Sequence, residues 1–494
     1  MRLDRHALTA VDRRVRRPDY DPATIGCGIV HLGLGSFHRA HQAAYTDAVL
    51  GRDPTWGICG VSLRSRGVVD ALVRQDHLYT LLVRAPQGIE PRIIGSLREA
   101  LCAADGIRAV VARLAAPSTR IVSLTVTEKG YCHDPASGRL DRAHPDIVHD
   151  LGNRDAPASA LGVLLFGLAA RMASGAPLTV LCCDNLPHNG ATVRALALEL
   201  AEIIDPHLAR WIEAEVSFPS CMVDRIVPAT SADDLDAVRR VGLEDDAPVG
   251  TEPFMQWVIE DDFAAGRPAW QDAGAQFAAD VAPFELMKLR LLNGAHSTMA
   301  YLGYLAGHAT ICEASSDPLI ARVVDCLWDE LEPTLPAALL TTPCSDPVAY
   351  RQALMARFRN PALAHRTWQI AMDGSQKLPQ RLLGAARERL ARRQGVATIA
   401  LAVAGWMRYV AGIDDKGGAI DVRDPLAGSF ARIASAAAGD SRALGRGLFG
   451  LTAIFGDDLA DDPRFRAPVL DWLAKLAADG VRATLAGAAQ FGRD

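Results

Sequence analysis

The run Lys288-Leu-Arg-Leu-Leu-Asn293-Gly-Ala-His296 sets an amine, an amide and an imidazole within nine positions of one segment that reads as helical. These are groups that carry protons and donate hydrogen bonds. The flanks, Pro283-Phe-Glu-Leu-Met and Ser297-Thr-Met-Ala-Tyr-Leu-Gly-Tyr-Leu, are mostly apolar, so the polar groups fall where side chains are partly buried. Buried polar groups need partners or a purpose. On a regular helix turning about 100° per residue, positions 285, 288, 293 and 296 lie within an arc of roughly 140° and can line one cavity. The same spacing fits an amphipathic helix whose polar stripe meets water.

The elements that would position this run have two textures. Gly28-Ile-Val-His-Leu-Gly-Leu-Gly35 reads as a strand ending in glycines, with helical spacing from His38 to Leu50. Gly57 to Leu63, Ile121 to Thr127 and Leu178 to Cys183 read as further strands, continuously apolar as parallel strands covered on both faces are. Leu78 to Val83 and Arg92 to Ile94, joined through Pro86-Gln-Gly88, predict a hairpin. Together they predict an α/β, Rossmann-like doubly wound domain over residues 1–283. From residue 284 the patterns are long and helical: Leu319 to Leu331, Pro347 to Phe358, Gln380 to Arg393 and Val469 to Ala478. They predict a mainly helical second domain over 284–494 that carries the Lys288 run. At 494 residues, two domains are expected on size alone.

Composition argues against several partner classes. Apolar residues make up 49% of the chain and charged residues 22%, the make-up of a folded globular protein. The net charge is −6 with basic residues scattered, so neither nucleic acid nor a membrane is expected as a partner. The apolar stretch Gly395 to Met407 is too short to span a bilayer and reads as a buried helix. Met-Arg-Leu-Asp-Arg-His-Ala at the N-terminus has no signal-like apolar stretch behind it, which predicts a cytoplasmic protein. The ten cysteines are spread thinly, as reduced buried thiols are. Cys182, Cys183 and His188 lie close together, but adjacent strand residues face opposite ways, so shared zinc ligation is awkward and no metal is expected. A serine hydrolase is unsupported, since no Gly-x-Ser-x-Gly elbow occurs. The oligomeric state has no signature in the sequence.

Several residues fall where strands end. Gly33 and Gly35 supply the first two glycines of a dinucleotide fingerprint, which permit a tight turn and close approach of a pyrophosphate, while His38 stands in place of the third. An ordinary glycine turn is the plainer alternative. The second strand runs into Ser62-Leu63-Arg64-Ser65-Arg66 with no carboxylate before Asp70, so the usual acidic marker for NAD is missing and the arginines could accept a 2′-phosphate. Thr127-Glu128-Lys129-Gly130-Tyr131 and Cys183-Asp184-Asn185-Leu186-Pro187 each follow a strand and belong to the rim where ligands bind, although Asp-Asn pairs also make turns and caps. Asp373-Gly-Ser-Gln-Lys377-Leu-Pro-Gln-Arg381 joins a turn signal to cations, and a solvated loop would look the same.

In combination, Gly33-x-Gly35-x-Phe37-His-Arg-Ala-His-Gln42, Thr127-Glu-Lys-Gly-Tyr131, Asp184-Asn185, Met222-Val-Asp224-Arg225 and the Lys288 run resemble the mannitol dehydrogenase family of long-chain, metal-independent polyol dehydrogenases, over nearly the whole chain. Within it, the segment from His365 to Arg381, with Ala404-Gly-Trp-Met-Arg-Tyr409, is most similar to the fructuronate reductases, also called D-mannonate oxidoreductases. The resemblance implies Lys288 as general acid/base, taking the hydroxyl proton in oxidation and returning it in reduction, as a lysine can if burial or a neighbouring cation lowers its pKa. It implies Asn185 and Asn293 as donors to the oxygen that becomes alkoxide-like, His296 as the residue that orients substrate, and Glu285 as a proton relay to water. Gly33, Gly35, Phe37, Arg64 and Glu128 are implied to face NAD, with NADP left open by Arg64 and Arg66.

Asp224 and Lys377 are implied to hold the rest of the substrate, joined here by Arg366 and Lys129. Gln369 stands where the mannitol enzymes have a substrate-binding arginine, and the added cations suit a carboxylate. Against that, Tyr45-Thr-Asp47, Ser62-Leu-Arg-Ser65 and Asn185-Leu-Pro-His-Asn-Gly190 look more like the mannitol enzymes. The implied partner is a small sugar acid or polyol, with D-fructuronate and D-mannonate first and mannitol and fructose, or another polyol, second. A nucleotide-binding sensor that has lost catalysis is the alternative from another class.

Overall fold

Apolar runs in the first part of the chain pair into a parallel sheet of six strands: β1 (Ile29–Leu32), β2 (Ile58–Ser62), β3 (Leu97–Cys102), β4 (Ile121–Leu124), β5 (Leu178–Cys182) and β6 (Val216–Ser217). The order β3-β2-β1-β4-β5-β6 is that of the doubly wound dinucleotide-binding fold. The computed structural model describes residues 1–134, 137–337, 339, 346–363 and 365–488, which divide into the units Met1–Ala282 and Pro283–Asp494.

Ile29 pairs with Ile58 on one side and Ile121 on the other. Val30, Leu32, Val61, Val122, Leu124 and Val180 face one way, against the helices Arg108–Ala115, Ala160–Met172, Asn189–Ile204 and Pro206–Glu215. Ile29, Ile58, Ile121 and Leu181 face the other, against Ser36–Ala40, Gln42–Asp47 and Gly67–Arg74. Cover on both faces is why β1, β2, β4 and β5 read as unbroken apolar runs. The alternation also puts Cys182 and Cys183 into opposite cores. β3 lies at the sheet's edge and alternates exposed with buried positions, so Leu97-Arg-Glu-Ala-Leu-Cys carries no such run.

The hairpin forms, with Ala85 opposite Gly88 across the turn Pro86-Gln87, and Val249–Thr251 joins it in parallel. A third sheet unites Cys221–Asp224, Gln256–Glu260 and Gln276–Ala278. The helical spacing from His38 to Leu50 does not make one helix. His41, at φ −114° and ψ −91°, divides it into Ser36–Ala40 and Gln42–Asp47, and its buried ring bonds Gln256 O at 2.9 Å.

The unit Pro283–Asp494 is built from helices. Its centre is Ala397–Val410, buried from Thr398 to Met407 and packed against Ala295–Leu305, Pro318–Leu331 and Pro463–Gly487. Three of its helices begin on an Asp-Pro pair, where Asp317, Asp346 and Asp462 accept the first free N–H and the proline supplies the fixed φ of the first turn. Among the described residues no helix is long and apolar enough to cross a membrane.

Candidate active site

β1 ends at Leu32, and Gly33 turns the chain with φ +106°, where a Cβ would lie 2.1 Å from Thr125 O. The position requires glycine. Gly35 is used differently: only Gly33 O, at 3.7 Å, lies near its Cβ position, so the backbone before Ser36–Ala40 is open to close approach. The third glycine's place is taken by His38, fully buried and stacked on His31 with ring centroids 3.4 Å apart. His31 bridges Ser123 Oγ at 2.8 Å, Thr125 Oγ1 at 2.8 Å and Gly33 O at 3.0 Å, fixing the turn from behind. Phe37, half-buried, stacks on His41.

Burial drives the His31 pKa down to about 3 and holds His38 well below the usual imidazole range. The unfolded chain therefore takes up protons below about pH 6.5 that the folded chain refuses, so this stability is complete above that pH and is lost as pH falls. Each such histidine adds a slope of about 1.4 kcal/mol per pH unit within the window. His31→Asn should flatten the dependence of Tm on pH between about 6.5 and 4.5. An unaltered slope would contradict the assignment of a neutral buried ring.

Where β4 and β5 end, Asp184 Oδ2 accepts from Val126 N at 2.8 Å and Tyr131 Oη at 2.6 Å, and Oδ1 accepts from Thr127 N at 3.1 Å. Burial raises the Asp184 pKa while these donors oppose it. The carboxylate fixes the turn Glu128–Tyr131, on which Glu128 and Lys129 are exposed, and leaves Asn185 exposed beside it. Asn189 Nδ2 donates to Asp184 O at 3.1 Å and Cys221 O at 2.7 Å, tying this loop to the strand that ends in buried Asp224. Arg225 donates to the carbonyls of Ala40 and Glu252, and burial lowers its pKa to about 10. Asp184→Ala would strip two N–H groups and a phenol of their acceptor, and a loss of about 3 kcal/mol is expected. Thermal melting checks it, and an unchanged Tm would show that the carboxylate does not hold the turn.

Beyond β2 the arginines meet carboxylates both near and distant in sequence. Arg64 lies 3.3 Å from Asp146, and Arg66 lies 3.1 Å from Asp70 and 2.7 Å from Asp105. The neighbourhood thus carries three carboxylates against two guanidiniums.

In the second unit the regular helix expected through the Lys288 run is not formed. The helix Ala282–Met287 passes into a π-helical turn, Lys288–Gly294, before regular winding resumes in Ala295–Leu305. Hydrogen bonding from i to i+5 stacks residues five apart, so Lys288 and Asn293 share a face instead of lying about 140° apart. Side chains take up the carbonyls of this wide turn: Trp328 Nε1 donates to Leu291 O at 2.8 Å, Arg381 Nη1 to Asn293 O at 3.3 Å and Thr298 Oγ1 to Gly294 O at 2.9 Å. Buried Arg290 anchors the turn on Glu388 and on Thr334 O. Turns of this kind inside helices are frequent at functional sites. Glu285, Lys288 and Asn293 are half-buried, and His296 is buried.

The Arg381 that meets Asn293 O also donates to Ser297 Oγ at 2.9 Å and belongs to a second π-helical turn, Pro379–Leu383, packed on the first. Among the described residues His296 Nε2 has no hydrogen-bond partner. Its ring lies 5.5 Å from that of His365 and 5.4 Å from that of Phe358. Burial, then His365, Arg381, Arg357 and Lys377, hold its pKa well below the ordinary value. Lys377 Nζ donates to Ile370 O at 3.3 Å and Met372 O at 2.5 Å. Arg366 is exposed before the helix Thr367–Ala371, and the guanidiniums whose charge reaches His296 are those of Arg357 and Arg381. Arg381 stood at the end of a cation-bearing run in the sequence, whereas Arg357 has no signal that separates it from any arginine on an amphipathic helix.

The mannitol dehydrogenase Rossmann-domain model matches residues 27–272, and the mannitol dehydrogenase C-terminal-domain model matches residues 280–477. The chain is 47% identical over 465 residues to an uncharacterized oxidoreductase of Escherichia coli, YeiQ, covering 93% of this chain and 94% of that protein. It is 47% identical over 480 residues to D-mannonate oxidoreductase of the same organism, covering 96% and 98%. The structure of Pseudomonas fluorescens mannitol 2-dehydrogenase, a ternary complex with NAD and D-mannitol, matches with a TM-score of 0.85 and 39% identity over 99% of each chain.

Proposed function

The chain belongs to the mannitol dehydrogenase family of oxidoreductases, and on that premise we propose that it interconverts D-mannonate and D-fructuronate with NAD, using Lys288 as general acid/base. What supports the sugar acid over the polyol is the positive charge of Arg381, Arg357 and Lys377 that bears on the buried His296, whose Nε2 has no partner among the described residues. Cations in a partly dry pocket suit a carboxylate, and they make its loss expensive. The 47% identity to D-mannonate oxidoreductase supports the same choice. The structural match to mannitol 2-dehydrogenase favours mannitol and fructose as the second reading.

The glycine positions fit a dinucleotide: Gly33 makes a turn that a Cβ would forbid, and Gly35 leaves space above the backbone. Bound NAD would be held by Gly33, Gly35, Phe37 and Glu128, and supplies the acceptor and donor of hydride. The charges around Arg64 and Arg66, three carboxylates against two cations, favour NAD over a ligand with a further phosphate. Lys288 accepts the substrate's hydroxyl proton at Nζ during oxidation and returns it during reduction. Asn293, on the same face of the π turn, donates to the oxygen as it gains charge, and Asn185 is the second amide donor. Glu285, one turn before Lys288, passes the proton to water. Neutral His296 orients the substrate, while Asp224, Lys129, Lys377 and Arg366 are its outer contacts.

Initial rates of NADH formation with D-mannonate, D-mannitol and D-arabinitol test this reading. D-mannonate is expected to lead in kcat/KM by about 100-fold or more. Turnover of mannitol with none of mannonate would move the assignment to the second reading.

A further inference from the structure

We propose that Cys132, His144 and Asp146 form a binding site for a single thiophilic divalent cation, Zn2+, within the first unit and apart from the chemistry assigned to Lys288. Among the described residues they are the one group of three ligating side chains whose donor atoms all lie within 4.8 Å of one another. A loaded tetrahedral site spaces its donors by roughly 3.5 Å, so a movement of about an ångström closes this one. Thiolate, imidazole and carboxylate together suit Zn2+, whereas Mg2+ and Ca2+ seek oxygen alone. Three protein donors leave the fourth position to water.

The backbone presents the three groups to one another. Cys132 follows the turn Glu128–Tyr131 in the left-handed region, at φ +50°, with its side chain buried. His144 and Asp146 flank Pro145 at the start of the helix Pro145–Gly152, where His144 Nδ1 accepts from Asp146 N at a long 3.2 Å. Arg64 reaches Asp146 at 3.3 Å with its own side chain 80% exposed, a pair at the weak end of the range for surface ion pairs. A dication would displace it. On binding, Cys132 gives its thiol proton to solvent as the sulfur–metal bond forms, and His144 exchanges its N–H contact for the metal. Asp146 releases Arg64, and nothing is oxidised or reduced.

Co2+ titrated into the chelator-treated full chain reads thiolate ligation through its charge-transfer absorption. One equivalent is expected to bind with that band, to be displaced by Zn2+, and to lose the band in Cys132→Ser. His144→Ala should weaken binding at least about tenfold. Arg64→Ala should tighten it, because Asp146 no longer has a competing cation. Absence of the band, or its persistence in Cys132→Ser, overturns the proposal. Should Cys132→Ser fail to fold by circular dichroism, His144→Ala and Asp146→Asn decide: weakened binding in both supports the site, and unchanged affinity in both overturns it.

Discussion

Replacing Lys288 by alanine is expected to lower kcat by about 10² to 10⁴, the usual share of a general acid/base. The effect follows from its place on the π-helical turn Lys288–Gly294, where the i to i+5 pattern sets the amine on one face with the Asn293 amide. Binding of NAD, assigned to the glycine turn of the other unit, should change little, as fluorescence titration can show. Asn293→Ala should cost a smaller part of kcat, since it removes a donor to the developing charge and leaves the proton acceptor in place. Near-normal turnover in Lys288→Ala would remove the amine from the chemistry, and the π turn would then be a packing feature only.

Gly33→Ala is expected to have the largest structural effect of any single methyl group added to the first unit. The backbone has φ +106° there, and the new Cβ would meet Thr125 O at 2.1 Å, a contact with backbone that no rotamer can relieve. Together the strain and the clash cost about 3 kcal/mol or more. For a chain of 494 residues that is a fall in Tm of roughly 3 °C. NAD affinity should fall with it, because His31 and Thr125 both bond the Gly33 carbonyl and would move as the turn opens. Gly35→Ala, where the Cβ position is open, should leave the melting curve close to that of the parent and act on NAD binding alone. Equal melting losses in the two variants would contradict the division of labour between the glycines.

The doubly wound fold was legible because its central strands are covered on both faces, and Ile29 to Leu32, Ile121 to Leu124 and Leu178 to Cys182 write that cover as unbroken apolar runs. The edge strand Leu97–Cys102 is half-covered and mixes Arg98 and Glu99 into its pattern, so periodicity passes it by. The helix from His38 could not be seen to break at His41, where the ring makes a tertiary bond to Gln256 O that no local pattern announces.

The Lys288 run announces its residue types but not their geometry. A π turn keeps the composition of a helix, and what stabilises it here are Trp328, Arg381 and Thr298 side chains on its carbonyls, two of them remote in sequence. Asp184 looked like a rim residue and proves to be the acceptor that holds the turn Glu128–Tyr131, a role written in the N–H groups of residues 126 and 127. Arg64 and Arg66 stood beyond their strand with no carboxylate before Asp70, and Asp146, the partner of Arg64, lies 82 positions on.

A structure of the enzyme bound to NAD and D-mannonate would place the reacting groups against Lys288 and His296. The reacting hydroxyl is expected within hydrogen-bond distance of Lys288 Nζ and Asn293 Nδ2, and the carboxylate within reach of His296 Nε2 and at least one of Arg357, Lys377 and Arg381. A hydroxyl or hydroxymethyl group beside His296, with the carboxylate turned to solvent, would contradict this placement.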